Sequence, residues 1–189
     1  WMKGSSGVAL SFGFNDLTES TTLTRTVVVK NYTSSAITYD IDATFRFAAD
    51  EGGAVSVSVP PSVRVPASGT AEFDVALTID PTELPGWGMD SGLNGANAAA
   101  LTAAEFDGYV WLDDRSTADD DSTPLHLPWQ VLPRPAGDVT LSADTVAPGA
   151  TVEASNDADN DTSVEFYSLL ATSSNEPASG AGDALADVD

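Results

Sequence analysis

The sequence predicts an all-β protein, an antiparallel β-sandwich followed by a short β-rich segment. Apolar and polar side chains alternate along most segments, which is typical of strands with one buried face. Turn residues, chiefly Gly, Pro, Ser and Asp, separate these segments at intervals of about eight to twelve residues. Helical periodicity is almost absent. With 189 residues, 42% of them apolar, the chain is long enough to bury a full core.

Six strands are expected before the first long interruption: 8–14, 23–31, 37–47, 55–59, 63–65 and 70–79. The third has the clearest alternation, with these residues on one face: Ile37, Tyr39, Ile41, Ala43, Phe45 and Phe47. Asp40, Asp42 and Thr44 should then face water. Pro60 and Pro61 should stop the fourth strand, and the fifth continues it.

Two further apolar runs, 106–112 and 125–133, predict a pair of strands joined by a polar loop. Alternation places one row of the first run towards the core: Phe106, Gly108, Val110 and Leu112. The matching row of the second run is Leu125, Leu127, Trp129 and Val131. Because Pro128 and Pro133 cannot donate to a ladder, we expect this strand to lie at a sheet edge or to end early.

The expected sandwich covers residues 8–133 and contains an inserted loop at 81–104, rich in Gly, Ala and Asn, in which one helical turn is expected near 98–105. Loops this long are uncommon in compact domains and are often functional. Beyond the sandwich, residues 138–189 show only three candidate strands: 139–141, 146–154 and 164–171. Because so few strands rarely form a stable domain, this segment is interpreted as a partial second β-domain or a docked β-rich tail.

The charge balance is strongly acidic, with 29 Asp and Glu against 7 Lys and Arg, a net charge of −22. Such a field repels nucleic acid and anionic membranes and attracts cations. No apolar run is long enough to span a bilayer, and the absence of Cys excludes disulfides and thiolate zinc sites. The composition favours a secreted, cell-surface or salt-adapted protein, in which the sequons at Asn31 and Asn160 could carry glycans.

Two acidic clusters are candidate Ca²⁺ sites. The first has the alternating spacing of a calcium loop: Asp157, Asp159 and Asp161. It lacks the Gly expected next, where Thr162 stands, and no bidentate Glu follows at the required position. The second lies in the loop between the last two strands of the sandwich: Asp113, Asp119 and Asp121. A solvated acidic turn is the alternative in both cases.

The sequence does not predict an enzyme. A hydrolase with a Ser-His-Asp triad needs a His that shuttles a proton, and the only His is His126, on the polar face of a strand. No Gly-x-Ser-x-Gly nucleophile elbow occurs. No pair of carboxylates stands out as the acid and base of a glycosidase.

Tyr109 and Trp111 make the strand 106–112 apolar on both faces, although a sandwich strand normally has one wet face. Either the insertion around Trp87 folds over these rings, or another domain docks on them as a protein interface. Trp87 and Trp111 could also stack on sugar rings, which would make the chain a carbohydrate-binding module. A third alternative is a cell-surface adhesion module stiffened by Ca²⁺.

Several short segments occur in a distinctive order along the sandwich: 10–13, 26–31, 63–71, 106–110 and 127–129. This order resembles the fibronectin type III-like domain that follows the catalytic domain in many secreted subtilisin-like serine proteases. The resemblance implies a fibronectin type III- or immunoglobulin-like sandwich that packs against the catalytic domain of the same parent chain and helps to position it or its protein substrate. The catalytic residues of that family map onto no residue here, so the resemblance implies a non-catalytic fragment. The 81–104 insertion has no counterpart in the family.

Overall fold

The computed structural model describes residues 2–4, 7–87, 103–115, 124–143 and 151–161. Within these residues the chain forms eleven strands: β1 (Met2–Gly4), β2 (Leu10–Leu17), β3 (Thr21–Lys30), β4 (Ile37–Phe45), β5 (Val55–Ser58), β6 (Ser62–Val65), β7 (Thr70–Ile79), β8 (Phe106–Asp114), β9 (Leu125–Pro135), β10 (Val139–Leu141) and β11 (Ala154–Asn156). Two 3₁₀ turns lie at Ala48–Asp50 and Pro81–Glu83. No helix in this part of the chain is long and apolar enough to cross a membrane.

The predicted β-sandwich is confirmed. A four-stranded sheet in the order β1-β3-β7-β5 packs on a five-stranded sheet in the order β2-β9-β8-β4-β6. The inward rows of both sheets meet in one core, whose fully buried members include Val27, Val75, Leu77, Val110 and Leu112. β10 and β11 form a separate two-stranded sheet.

One strand pair departs from the expected antiparallel arrangement, because β2 runs parallel to β9. The chain starts in the other sheet, where β1, which the sequence analysis did not predict, pairs with β3. β2 instead belongs to the five-stranded sheet, where it lies beside β9 and runs in the same direction. Alternation along a strand carries no information on this choice, since either sheet would bury the same face.

β5 and β6 continue one another in sequence but belong to different sheets. β5 pairs with β7 in the four-stranded sheet, and β6 pairs with β4 in the five-stranded sheet. The crossing occurs at Pro60 and Pro61, where the chain has no N–H groups to extend the first ladder. The Pro61 carbonyl accepts a hydrogen bond from the Ile41 N–H at 3.1 Å and so starts the second ladder. The predicted stop at these prolines is confirmed.

The expectation that the prolines would place β9 at an edge or end it early was wrong, because β9 lies between β2 and β8 and continues to Pro135. The ladder with β2 begins at Trp129, one residue after Pro128. The ladder with β8 ends at Val131, two residues before Pro133. Each proline therefore lies where β9 has one paired neighbour, and its missing N–H can face the other side.

Other differences concern the ends of elements. β4 ends at Phe45, so Phe47 lies outside the inward row and is 42% exposed beneath the guanidinium of Arg46. Of the predicted strand at 146–154, residues 146–150 lie outside the described residues, residues 151–153 are not in a strand, and residue 154 begins β11. The predicted strand at 164–171 and most of the insertion beyond Trp87 lie outside the described residues.

The centre of the five-stranded sheet is built around Trp129, which is 1% exposed. Its indole Nε1 donates to the Thr44 carbonyl at 3.3 Å, and its ring meets Phe45 edge-on at a centroid distance of 5.2 Å. Gly108 lies directly opposite Trp129 in the ladder. A Cβ atom at Gly108 would overlap the Thr44 carbonyl oxygen and come within 2.9 Å of Trp129 Cε2. A glycine is therefore required at this position.

Replacing this glycine tests the packing directly. We expect Gly108→Ala to lower the free energy of unfolding by about 3 kcal/mol, because the added methyl group must displace backbone or the indole. Urea unfolding followed by tryptophan fluorescence measures the change. Gly53→Ala is the matched control, since a Cβ there meets only Asp50 O at 3.5 Å, and it should stay within about 0.5 kcal/mol. Equal urea midpoints for the two variants would contradict this account of the core.

Candidate docking surface

Three ring side chains lie together on the outer face of the five-stranded sheet: Tyr109 and Trp111 from β8, and His126 from β9. The register places Trp111 directly opposite His126, with ring centroids 5.1 Å apart. Tyr109 lies 5.5 Å from each of the other two rings. We call these three residues the aromatic cluster. They point outward because the alternating residues of the same strands fill the core.

The strand β4 holds the cluster from one side. The Trp111 indole Nε1 donates to the Thr44 hydroxyl at 2.9 Å. In the ladder Thr44 lies opposite Tyr109, and Asp42 lies opposite Trp111. Tyr109 and Trp111 are half-buried and His126 is exposed. The cluster is thus a partly exposed aromatic surface on rigid, central strands, with one ring fixed by a hydrogen bond.

Carboxylates border the aromatic cluster along β4 and β8. The Arg115 guanidinium donates to Asp40, with Nε at 2.7 Å, and this hydrogen bond lowers the pKa of the Asp40 carboxyl. Asp107 is paired with Arg46 at 3.2 Å. Asp42, beside Trp111, is exposed and accepts a hydrogen bond from the neighbouring backbone N–H of residue 43 at 2.9 Å. Asp40 and Asp107 are thus matched by arginines, and Asp42 is the exposed carboxylate directly beside Trp111.

Trp87, the third residue expected at an interface, lies elsewhere on the sandwich. Its ring is 5.8 Å from that of Phe14 on β2, and the Arg134 guanidinium lies 5.7 Å from it. Arg134 is eight positions along β9 from His126, which corresponds to about 26 Å at the rise of a strand. The structure brings Tyr109 and Trp111 together but leaves Trp87 apart from them.

This arrangement also bears on sugar binding. Trp87 and Trp111 lie too far apart to form one platform, and the planes of Tyr109 and Trp111 are inclined by 45°. These rings therefore form no coplanar platform, and the carbohydrate-binding alternative stays a prediction. Sequence reasoning did not place His126 or the hydrogen-bond partner Thr44 beside Tyr109 and Trp111, because these places depend on the register between strands.

The acidic loop at the end of the described chain is organised by amides. Asn156 Oδ1 accepts hydrogen bonds from the backbone N–H of Asp138 at 2.9 Å and of Ala158 at 3.3 Å. Its Nδ2 donates to the Asn160 carbonyl at 2.7 Å. Among the described residues, no group of three or more His, Cys, Asp or Glu side chains is placed to hold a metal ion.

The loop also attaches the β10–β11 sheet to the end of the sandwich. The Asn160 side chain is 7% exposed, and its Nδ2 donates to the carbonyls of Leu17 at 2.9 Å and Ala136 at 3.0 Å. The Asp159 N–H donates to the Thr18 carbonyl at 2.7 Å. The acidic residues of this loop thus belong to a turn that clamps two segments distant in sequence.

Of the two candidate calcium clusters, the first is described in full: Asp157, Asp159 and Asp161 are exposed carboxylates on the clamping turn. In the second, Asp113 is exposed near the end of β8, while Asp119 and Asp121 lie outside the described residues. Calcium binding stays a prediction for both. It would appear as a rise in melting temperature with Ca²⁺ that an equal concentration of Mg²⁺ does not produce.

Both sequon asparagines have structural roles. Asn31 is 4% exposed, and its Nδ2 donates to the carbonyls of Ser35 at 2.7 Å and Pro66 at 3.1 Å. Its Oδ1 accepts from the N–H and the hydroxyl of Thr33. The amide nitrogen that a glycan would occupy is therefore buried and bonded at Asn31, as it is at Asn160. The folded protein offers neither nitrogen for modification.

The clamp can be tested by reversing the polarity of Asn160. Asn160→Asp puts a carboxylate oxygen against the two carbonyls that the amide now bonds, so we expect the 138–161 segment to detach from the sandwich. Hydrogen exchange should rise by at least tenfold in residues 136–141 and 154–160 while the protection of β8 changes little. Asp161→Asn, an exposed change in the same turn, is the control. Unchanged protection in Asn160→Asp would contradict the clamp.

Comparison with known proteins gives likenesses in fold only. No family model and no curated protein matches the sequence. A FixG-related protein from Vibrio parahaemolyticus is 18% identical, with 63% of this chain and 87% of that chain covered and a TM-score of 0.40. A family 123 glycoside hydrolase from Clostridium perfringens is 8% identical, with coverages of 67% and 23% and a TM-score of 0.42.

The secreted serine protease VesC from Vibrio cholerae is 8% identical to the chain, with 69% of this chain and 22% of that chain covered and a TM-score of 0.37. The chain thus spans less than a quarter of both enzymes, the glycoside hydrolase and VesC. Likenesses at this level of identity and overlap carry no argument about activity. The chain is a β-sandwich domain, and its function must be argued from its own surface.

Proposed function

We propose that the chain is a non-catalytic accessory domain of a secreted subtilisin-like serine protease, and that it docks on the catalytic domain of the same parent chain through the aromatic cluster. The cluster is the observation that carries the docking part of this proposal. Partly exposed aromatic patches on the surface of a soluble domain mark interaction sites, and aromatic residues are enriched at interfaces. An outer sheet face would otherwise be polar.

The rigidity of the cluster supports a docking role. Tyr109 and Trp111 extend from the strand at the centre of the sheet, and the hydrogen bond to Thr44 fixes the indole before any partner arrives. Fixed rings lose little conformational freedom on binding, so more of the contact energy contributes to association. A domain that sets the orientation of a neighbour needs such a fixed contact.

The segments that carry the resemblance to the protease family are those that build the sandwich. Val27 and Val29 lie in the core, Asn31 ties two turns together, and Gly108 packs beneath Trp129. Their structural roles support the fold that the resemblance implies. The link to subtilisin-like proteases rests on the order of these segments alone. It therefore has its own test: the coding sequence preceding Trp1 should encode a subtilisin-type serine motif.

A non-catalytic role fits the surroundings of the single histidine. His126 is exposed, and its described ring neighbours are Tyr109 and Trp111. A triad histidine lies within hydrogen-bond reach of a nucleophile and of an orienting carboxylate. His126 instead extends an aromatic surface. We infer that it contributes contact area to the docked partner.

Truncation of the cluster tests the docking proposal. With the chain and the catalytic domain expressed as separate polypeptides, Trp111→Ala should weaken their association by about tenfold or more, since a central aromatic residue often dominates an interface. Calorimetric titration measures the affinity. The chain's own melting temperature, read by circular dichroism, should show that Trp111→Ala remains folded. Tyr32→Ala, an exposed tyrosine on a distant turn, is the control and should leave the affinity unchanged. A folded Trp111→Ala variant that binds as tightly as the parent chain would contradict docking through this face.

A further inference from the structure

Several basic side chains cover aromatic rings. Among the described residues, four Lys and Arg side chains lie over a ring: Arg25 over Phe12 at 5.3 Å, Lys30 over Tyr32 at 4.8 Å, Arg46 over Phe47 at 5.1 Å, and Arg134 over Phe14 at 5.5 Å and over Trp87 at 5.7 Å. The rings covered in this way include the most exposed aromatic side chains of the described residues, namely Phe14 at 52%, Tyr32 at 68% and Phe47 at 42%.

The half-buried rings of the aromatic cluster do not follow this pattern. Within the described part of the chain, no lysine or arginine side chain lies over Tyr109 or Trp111. The nearby arginines are engaged elsewhere, since Arg115 is bonded to Asp40 and Arg46 to Asp107. The negative ring faces and the exposed carboxylate of Asp42 are therefore not matched by a cation of the chain itself.

We propose that the aromatic cluster accepts an arginine side chain of the partner protein. This inference rests on the proposed function, because it takes the cluster as the docking surface, and it adds the chemistry of the partner. An arginine lying on the Trp111 ring would gain a cation–π contact. It would also lie near Asp42, which is directly opposite Trp111 in the β4–β8 ladder. The guanidinium group is planar and weakly hydrated, so it stacks on a ring better than an ammonium group does.

The charge of the whole chain points to the same partner. At a net charge of −22, the domain attracts a basic surface and repels a second copy of itself. The 45° inclination between Tyr109 and Trp111 does not impair this contact, because a single side chain needs only one ring face. A basic protein segment with an arginine is therefore the occupant that fits both the rings and the Asp42 carboxylate beside them.

The test uses a short Arg-Gly repeat peptide and a peptide of the same length in which citrulline replaces each arginine. We expect Trp111→Leu to weaken binding of the arginine peptide by about fivefold in calorimetric titrations at physiological salt. Phe47→Leu is the matched control, since that ring is already covered by Arg46, and binding should change less than twofold. Both variants keep the net charge, so general attraction of a basic peptide cancels in the comparison. The citrulline peptide should bind more weakly and be indifferent to Trp111→Leu.

Equal binding of the arginine peptide by the parent chain and by folded Trp111→Leu would overturn the inference. If Trp111→Leu does not fold, Asp42→Asn, an exposed change beside the ring, takes its place. It should weaken binding more than Asp74→Asn, an exposed carboxylate on the opposite sheet that removes the same charge. Equal weakening by the two would also overturn the inference, as would a dimer of the parent chain that Trp111→Leu dissociates.

These results separate the inference from the proposed function. If Trp111→Ala releases the catalytic domain while the arginine peptide binds Trp111→Leu as before, docking is supported and the arginine contact is excluded. If the arginine peptide depends on Trp111 and the catalytic domain does not, the arginine site is supported and docking of that domain is excluded.

Discussion

The contact of the Trp129 indole with the backbone of Gly108 fixes the arrangement of the five-stranded sheet. The two residues lie opposite each other in the β8–β9 ladder, and Gly108 also lies opposite Phe45 in the β4–β8 ladder. Any side chain at position 108 would overlap Thr44, so the three strands meet in one register. Because strand side chains alternate, this inward contact determines the outward row too, and a slip of one residue would bury Tyr109 and Trp111. The aromatic cluster is thus a consequence of how the core is packed.

Features that depend on neighbouring residues could be read from the sequence, and features that depend on partners distant in the chain could not. Alternation predicted the outward places of Tyr109 and Trp111 from a single strand. The place of His126 beside them depends on the ladder between two strands. Proline is excluded from positions that are paired on both sides, and a central strand can contain positions that are paired on one side only. Pro128 and Pro133 lie at such positions of β9, so their presence did not make β9 an edge strand.

The acidic loop shows the same limit. Alternating carboxylates at 157, 159 and 161 occur both in calcium loops and in ordinary turns, and calcium binding there stays a prediction. The conformation of this loop depends on the asparagines beside them. The bond from Asn160 to the Leu17 carbonyl joins atoms 143 positions apart in the chain. No local pattern contains such a pairing. The sequence also left open whether the insertion at 81–104 covers Tyr109 and Trp111. Trp87, within this insertion, packs on Phe14 and Arg134 instead.

Charge protects two parts of the sandwich surface from self-association, the sheet edge near β1 and the outer face that carries the aromatic cluster. Arg25 occupies an inward position of β3, where it lies over Phe12 and donates from Nε to the Ser11 carbonyl of β2 at 3.2 Å. It closes the gap between the sheets at a side where β1 pairs with β3 over only three residues, and an inward charge there discourages edge-to-edge association.

The acidic surface also opposes self-association at the aromatic cluster. A half-exposed group of three rings would ordinarily promote aggregation, but two copies of a domain carrying −22 repel each other before their rings can meet. That repulsion does not act on a basic partner, so the same charge that keeps the rings from one another leaves them open to a surface of opposite sign.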